Sequence, residues 1–100
     1  MSTIDHDDFV AQLAAGAIAV VDVREPHEFA AGHVPGAINL PLSQFDPEAL
    51  PDGKPIVLIC AAGVRSAHAL SQAQQSGRQD IAHYVPGTNG WRMYGGAIER

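Results

Sequence analysis

Cys60 is the residue with the clearest capacity for chemistry, and it stands where an apolar run gives way to a helical pattern. The sequence predicts a buried strand over 55–60, a loop over 61–65 and a helix that Ser66 caps and that runs to Ser76. A cysteine at such a junction lies at the carboxyl edge of a sheet, where α/β domains collect ligands. The free amides and partial positive charge of the helix start both favour thiolate over thiol.

The residues after the cysteine form a short loop without proline, so each of them keeps its amide donor. Amides curled around one point form an anion-binding nest, and Gly63 permits a backbone turn that a Cβ would obstruct. Such a nest stabilises an anionic sulfur without a side-chain base. The predicted substrate-binding residues are Ala61, Ala62, Gly63, Val64, Arg65 and Ser66.

Two residues of this segment have a second interpretation. An isolated cysteine at the end of a strand is often an inert part of the core, because free cysteine is among the most buried residue types. The neighbouring Gly63, Arg65 and Ser66 favour a reactive thiol instead. Arg65 either points into the nest to attract an anionic substrate or pairs with a carboxylate such as that of Glu28 and braces the loop. Both roles stay open at this point.

The rest of the chain alternates short apolar runs with helical patterns, which is typical of an α/β domain with a largely parallel sheet. Asp5 is predicted to cap a first helix that ends at Gly16, and Pro26 to open a short second one. A single helical turn follows Asp46, and a short helix lies in the tail after Pro86. The predicted strands cover 17–23, 37–40, 55–60 and 81–85.

Length and charge restrict the function classes. One hundred residues predict one domain over 1–100, and the net charge of −5 argues against nucleic acid as a partner. No apolar run approaches the length of a membrane span, and the acidic N-terminal segment is unlike a secretory signal, so we expect a cytoplasmic protein without a membrane partner. The lone cysteine makes neither a disulfide nor a thiolate zinc site, and we expect no metal.

Three motifs resemble those of the rhodanese family: VDVREPHEFAAGHVPGAINLP (21–41), CAAGVRS (60–66) and PGTNGW (86–91). The resemblance covers nearly the whole chain. It implies a three-layer α/β/α sandwich with a largely parallel five-stranded sheet. It further implies that four polar residues are scaffold that supports the loop, namely Asp22, Arg24, Glu28 and His33.

The same resemblance implies a double-displacement reaction without a cofactor. Cys60 would take sulfane sulfur from a small donor such as thiosulfate, hold it as a persulfide and pass it to a thiol or protein acceptor. Many relatives with strong thiosulfate activity carry an extra cation in the loop, whereas Ala61, Ala62 and Val64 are neutral. The less positive mouth makes an uncharged or protein-bound persulfide a reasonable donor.

Two alternatives remain open beside sulfur transfer. A cysteine-dependent phosphatase or arsenate reductase uses a similar loop, but the related phosphatases place five residues between cysteine and arginine, whereas four separate Cys60 from Arg65 here. A phosphoryl group needs the wider ring, and a single sulfur fits the tighter one. The second alternative is a non-catalytic module that binds or carries a persulfide; such modules usually lack the cysteine.

Overall fold

A parallel sheet between two layers of helix forms the body of the chain in the computed structural model, which describes residues 2–100. The helices are α1 (His6–Ala14), α2 (Pro26–Ala31), α3 (Val64–Gln75) and α4 (Gly87–Met93). The strands are β1 (Ala19–Asp22), β2 (Ile38–Asn39), β3 (Ile56–Ile59) and β4 (Ile81–His83), and two 3₁₀ turns cover Leu42–Gln44 and Pro47–Ala49. No helix within 2–100 is long and apolar enough to cross a bilayer.

The sheet has the strand order β2-β1-β3-β4, and every pair is parallel. The predicted α/β class with a parallel sheet is therefore confirmed, and the four strands predicted from the residue pattern all form. The five strands that the family resemblance implied are one too many for the described residues. At the place of a fifth, Thr3 makes only an isolated bridge beside His83. Two hydrogen bonds hold it, from His83 N–H to Ser2 O and from Ile4 N–H to His83 O. So short a pairing does not extend into a strand before α1 begins at His6.

Side chains of β1 and β3 alternate between the two faces of the sheet, as the period of a strand requires. On one face, Val21 and Leu58 pack against Leu70 of α3. On the other face, Val20 and Val57 belong to a second cluster that contains Phe9 of α1. Both central strands are buried throughout apart from Ala19, which explains why their sequences are continuous apolar runs instead of alternating ones.

The predicted element boundaries differ from the observed ones in one place that matters for the site. Ser66 was expected to cap the third helix, and this expectation is wrong, because α3 begins two residues earlier, at Val64. Gly63 is its N-cap, with a left-handed φ of 97°. Ser66 is thereby placed in the first turn of the helix, where its buried hydroxyl donates to Gly63 O and lies 3.5 Å from Cys60 Sγ.

Phe9 anchors α1 to the sheet. Its ring is 0% exposed, stacks on Tyr84 with centroids 4.3 Å apart and meets Trp91 edge-on at 5.4 Å. We expect Phe9→Ala to lower the free energy of unfolding by about 3–5 kcal/mol, because it leaves a cavity among these rings. Val10→Ala is the matched control on the same helix: Val10 is 41% exposed, and the expected loss is about 0.5 kcal/mol or less. Urea unfolding measures both, and equal losses would contradict this account of α1.

Candidate functional site

Cys60 lies directly after β3, at the carboxyl edge of the sheet, with 1% of its surface exposed. Its Sγ accepts a hydrogen bond from the Gly63 N–H at 3.1 Å and lies 3.5 Å from the Ser66 Oγ. Ala62 and Val64 are exposed, so the rim of the loop meets solvent although the sulfur itself is covered. The geometry places a thiol at the bottom of a shallow loop of peptide groups.

The hydrogen bonds to this sulfur outweigh the effect of burial. Burial raises the pKa of the Cys60 thiol, but the Ser66 hydroxyl and the amides of Ser66, Ala62 and Gly63 lower it by more, so the pKa lies below its ordinary value of 9.0. Donors aimed at the charged form of a group favour that form. The hydrogen bonds of the loop therefore favour the thiolate form of Cys60.

Two carbonyls of the loop are bound by α4 and point away from the sulfur. The Thr88 N–H donates to Cys60 O at 2.8 Å, and the Asn89 N–H donates to Ala61 O at 3.1 Å. Both donors belong to the first turn of α4. The free amides of one helix start thus hold two oxygens of the loop, and the contact with Ala61 O fixes the peptide whose nitrogen is the Ala62 N–H.

Two glycines make this close approach possible. A Cβ on Gly63, whose φ is 97°, would lie 2.6 Å from Val85 O. A Cβ on Gly87, whose φ is 68°, would lie 2.7 Å from Cys60 O and nearer still to Ala61 O. Backbone therefore contacts backbone on both sides of the loop, and no side chain fits between.

The structure brings Arg65 and Glu28 together. Arg65 Nη1 donates to Glu28 Oε1 at 2.6 Å and Nη2 donates to Oε2 at 3.0 Å, so the guanidinium is engaged by both carboxylate oxygens. The hydrogen bond from Arg65 is the main reason that the pKa of Glu28 falls from 4.5 to about 2. Of the two roles left open by the sequence, this geometry is that of a brace between α2 and α3.

Asp22 and Arg24 form a second ion pair below the first. Asp22 is 0% exposed, and its Oδ2 accepts from Arg24 Nη2 at 2.8 Å. The same nitrogen donates to Gly32 O, which ties the end of β1 to the end of α2. Asn39 Nδ2 donates to the backbone oxygens of both Asp22 and Arg24. This network fixes the turn that carries Glu28 toward Arg65.

His33 lies apart from the loop in its contacts. Its Nδ1 donates to Phe29 O at 2.8 Å, and its ring stacks on Phe29 with centroids 3.7 Å apart. Its backbone pairs with Glu99 near the end of the chain. Of the four predicted scaffold residues, Glu28 alone hydrogen-bonds a loop residue directly. Within residues 2–100, no group of three His, Cys, Asp or Glu side chains is arranged to hold a metal ion.

His83 also belongs to this site, although the sequence did not predict it. His83 ends β4 with 3% of its surface exposed, and its Nδ1 lies 2.9 Å from the Ser66 Oγ. The only signal in the sequence is a histidine inside the otherwise apolar segment IAHYV. That signal does not say which neighbour the ring meets, because the partner lies on a different element.

Comparisons with known proteins agree on one family. A family model described as "Rhodanese-like domain" matches residues 5–94. An uncharacterized protein of Synechocystis is 42% identical over 79% of this chain, which spans 45% of that relative's length. The thiosulfate:glutathione sulfurtransferase of Saccharomyces cerevisiae is 33% identical, with 79% of this chain and 68% of the relative covered. The thiosulfate sulfurtransferase GlpE of Pseudoalteromonas translucida is 30% identical, with 83% and 82% covered.

Solved structures share the whole fold. A rhodanese-related protein of Thermoplasma volcanium superposes with a TM-score of 0.88 at 31% identity, covering 99% of this chain and 98% of its own. A protein of Rhodopseudomonas palustris that is described as a possible tyrosine phosphatase superposes with a TM-score of 0.83 at 34% identity, covering 99% and 85%.

Gly87 allows a direct test of the contact between α4 and the loop. We expect Gly87→Ala to destabilise the fold by about 2–4 kcal/mol, the sum of a left-handed alanine and a clash with two carbonyls. It should also slow alkylation of Cys60, since the displaced carbonyls disturb the amides.

Gly16→Ala is the matched control for this change. Gly16 has nearly the same φ, 66°, with nothing within 4 Å of the added Cβ. It should lose only about 1–2 kcal/mol and leave the alkylation rate unchanged. Equal effects of the two variants on stability and alkylation would show that the contact is unimportant.

The Arg65–Glu28 pair predicts a dependence of stability on pH. A carboxylate whose pKa is lower in the folded state stabilises the fold above its unfolded pKa, and this contribution disappears as the pH falls from about 4.5 to about 2. We expect Glu28→Gln to cost about 1 kcal/mol at pH 7, a modest value because both side chains retain solvent contact. The difference from the parent chain should shrink below pH 4.5. Urea unfolding across this range measures it, with exposed Glu48→Gln as control; a constant difference would contradict the assignment.

Proposed function

The chain belongs to the rhodanese-like domain family, and on that premise we propose that it is a sulfurtransferase that carries sulfane sulfur as a persulfide on Cys60. The observation that carries this proposal is the hydrogen bond from the Gly63 N–H to Cys60 Sγ at 3.1 Å, in a loop where α4 binds the carbonyls of Cys60 and Ala61. Amides that favour a thiolate also favour a persulfide anion at the same place. Sulfurtransferases among the relatives support the same chemistry.

The reaction has two displacements. The Cys60 thiolate attacks the outer sulfur of the donor; a new S–S bond forms, the bond between that sulfur and the donor breaks, and its electron pair leaves with the donor. When the donor is thiosulfate, the leaving group is sulfite. An acceptor thiolate then attacks the outer sulfur of the persulfide. A new S–S bond forms to the acceptor, the bond to Cys60 Sγ breaks, and Cys60 leaves as the thiolate. Each nucleophile is an anion, so neither step needs a proton to be removed by a base.

The charge at the mouth of the loop bears on the donor. Arg65 is the one cation of the loop, and its guanidinium is engaged by Glu28, while Ala61, Ala62 and Val64 are neutral. Little free positive charge faces a dianion such as thiosulfate. We therefore propose that a persulfide of a thiol, small or protein-bound, is the better donor, and that a thiol or protein is the acceptor.

The same pairing weighs against phosphoryl or arsenate chemistry. A phosphoryl oxyanion needs a guanidinium facing the loop, since bidentate contact is how arginine recognises such groups. Both terminal nitrogens of Arg65 are instead hydrogen-bonded to Glu28. A protein of Rhodopseudomonas palustris with the same fold is described as a possible tyrosine phosphatase, so the experiment includes a test for phosphatase activity.

Intact-mass analysis tests the proposal directly. Incubation of the full chain with thiosulfate or with glutathione persulfide should add the mass of one sulfur atom, with faster loading from the persulfide. Dithiothreitol should remove the added mass. Cys60→Ser should gain nothing, while its thermal unfolding stays close to that of the parent chain because only one small side chain has changed.

The same samples separate the alternatives. An aryl phosphate assay on the parent chain should show no hydrolysis above the Cys60→Ser control. Absence of a sulfur adduct from both donors, together with Cys60-dependent phosphate hydrolysis, would replace the proposal with a phosphatase. An adduct that no thiol acceptor removes would identify a persulfide-binding module without turnover.

A further inference from the structure

Ser66 and His83 form a buried pair behind the reactive sulfur. The Ser66 Oγ lies 3.5 Å from Cys60 Sγ, 3.2 Å from Gly63 O and 2.9 Å from His83 Nδ1. Ser66 is 0% exposed and His83 is 3% exposed, so water does not compete for these contacts. The hydroxyl therefore has three partners and a single proton to share among them.

The partners of Ser66 determine where its proton goes. Gly63 O is a carbonyl and only accepts, so Ser66 is the donor in that contact. The cysteine in its thiol form donates its own proton to Ser66 Oγ. With the hydroxyl proton already directed to Gly63 O, the contact with His83 requires Nδ1 to be the donor.

The other nitrogen of His83 supports the same tautomer. Among the described residues, Nε2 has no hydrogen-bond partner and is buried. A buried lone pair without a partner costs less than a buried N–H without one, so the proton belongs on Nδ1. Burial also lowers the pKa of His83, which keeps the ring neutral with one N–H to place.

We propose that His83 is a positioning residue whose neutral Nδ1–H tautomer donates to Ser66 Oγ and so keeps the Ser66 hydroxyl proton available to an anionic sulfur on Cys60. In the thiol state the hydroxyl donates to Gly63 O; when the sulfur loses its proton, the hydroxyl turns and donates to the sulfur. His83 cannot take this proton in return, because its Nδ1 is already protonated. The inference rests on the proposed function only in treating Cys60 as the reacting sulfur.

Charged groups on the neighbouring elements act on Cys60 without involving His83, and among them Arg65 attracts the Cys60 thiolate. Arg65 of α3 is paired with Glu28 of α2, and Arg24 is paired with Asp22 of β1. These pairs are unchanged by a substitution at His83. A change in the titration of Cys60 on removal of the ring therefore reports on the path through Ser66.

The test is the pH dependence of Cys60 alkylation by iodoacetamide in the full chain. We expect His83→Leu to raise the apparent pKa of the thiol by about one unit, since one hydrogen bond to the anion is lost. His83→Asn should restore most of that shift, because the amide N–H of asparagine can occupy the place of Nδ1–H. His68→Leu, on the exposed face of α3, is the matched control and should leave the profile unchanged.

A double-mutant comparison separates positioning from packing. Ser66→Ala alone should raise the thiol pKa by about one unit, and adding His83→Leu to it should raise it no further, because His83 acts through Ser66. Independent additive shifts would overturn the proposal, as would an unchanged pKa in His83→Leu. ¹⁵N NMR of the parent chain provides a reading that needs no variant: Nδ1 should be protonated and Nε2 bare, and the reverse assignment would also overturn it.

These outcomes are distinct from those of the sulfur-loading experiment. A thiol pKa that depends on His83, in a chain that never gains sulfur, would leave the positioning role intact and remove the sulfurtransferase. Normal sulfur loading with a thiol pKa that does not depend on His83 would support the sulfurtransferase and remove the positioning role. If His83→Leu fails to fold, the NMR assignment and the Ser66→Ala profile decide the matter.

Discussion

The site depends on how the peptide groups of one short loop are divided between two partners. The carbonyl oxygens of Cys60 and Ala61 are bound by the first amides of α4, and the next amides in the chain face the sulfur. The peptide between Ala61 and Ala62 links the two, because holding its oxygen on α4 turns its N–H the other way. The orientation of the Ala62 N–H, one of the amides that lower the pKa of Cys60, thus depends on a backbone contact with the last helix, and Gly87 permits that contact.

The two ion pairs next to the loop act as a frame instead of a source of free charge. The buried Asp22–Arg24 pair fixes the turn between β1 and α2, and the turn presents Glu28 to Arg65. A bidentate pair holds the first turn of α3 in one orientation, since its geometry is planar and specific. The same pairing locally neutralises the positive charge of Arg65. The loop is therefore braced by the ion pair, and little unpaired positive charge remains at its mouth.

Much of this arrangement could be predicted from the sequence because it is local. The strand, the cysteine and the turn at Gly63 are consecutive residues, and their types determine a strand-to-helix junction. The four strands predicted from the residue pattern all form, whereas the fifth strand that the resemblance implied is reduced to an isolated bridge at Thr3, a pairing that depends on tertiary geometry. The prediction that Ser66 caps α3 was wrong because Gly63 adopts a left-handed conformation and is itself the N-cap, so Ser66 lies inside the helix. His83 was missed because its partner is 17 residues away and on another element.

The buried thiol lies below an exposed rim of the loop. Cys60 is 1% exposed, yet the residues around the loop opening, Ala62 and Val64, are at the surface. In the proposed persulfide, a second sulfur would extend from Sγ by one S–S bond and would carry the negative charge. The loop amides would therefore stabilise this outer sulfur, which is also the atom that an acceptor thiol must reach. A deep attachment point with a shallow rim favours handing the sulfur to another thiol, because the acceptor need only reach the outer atom.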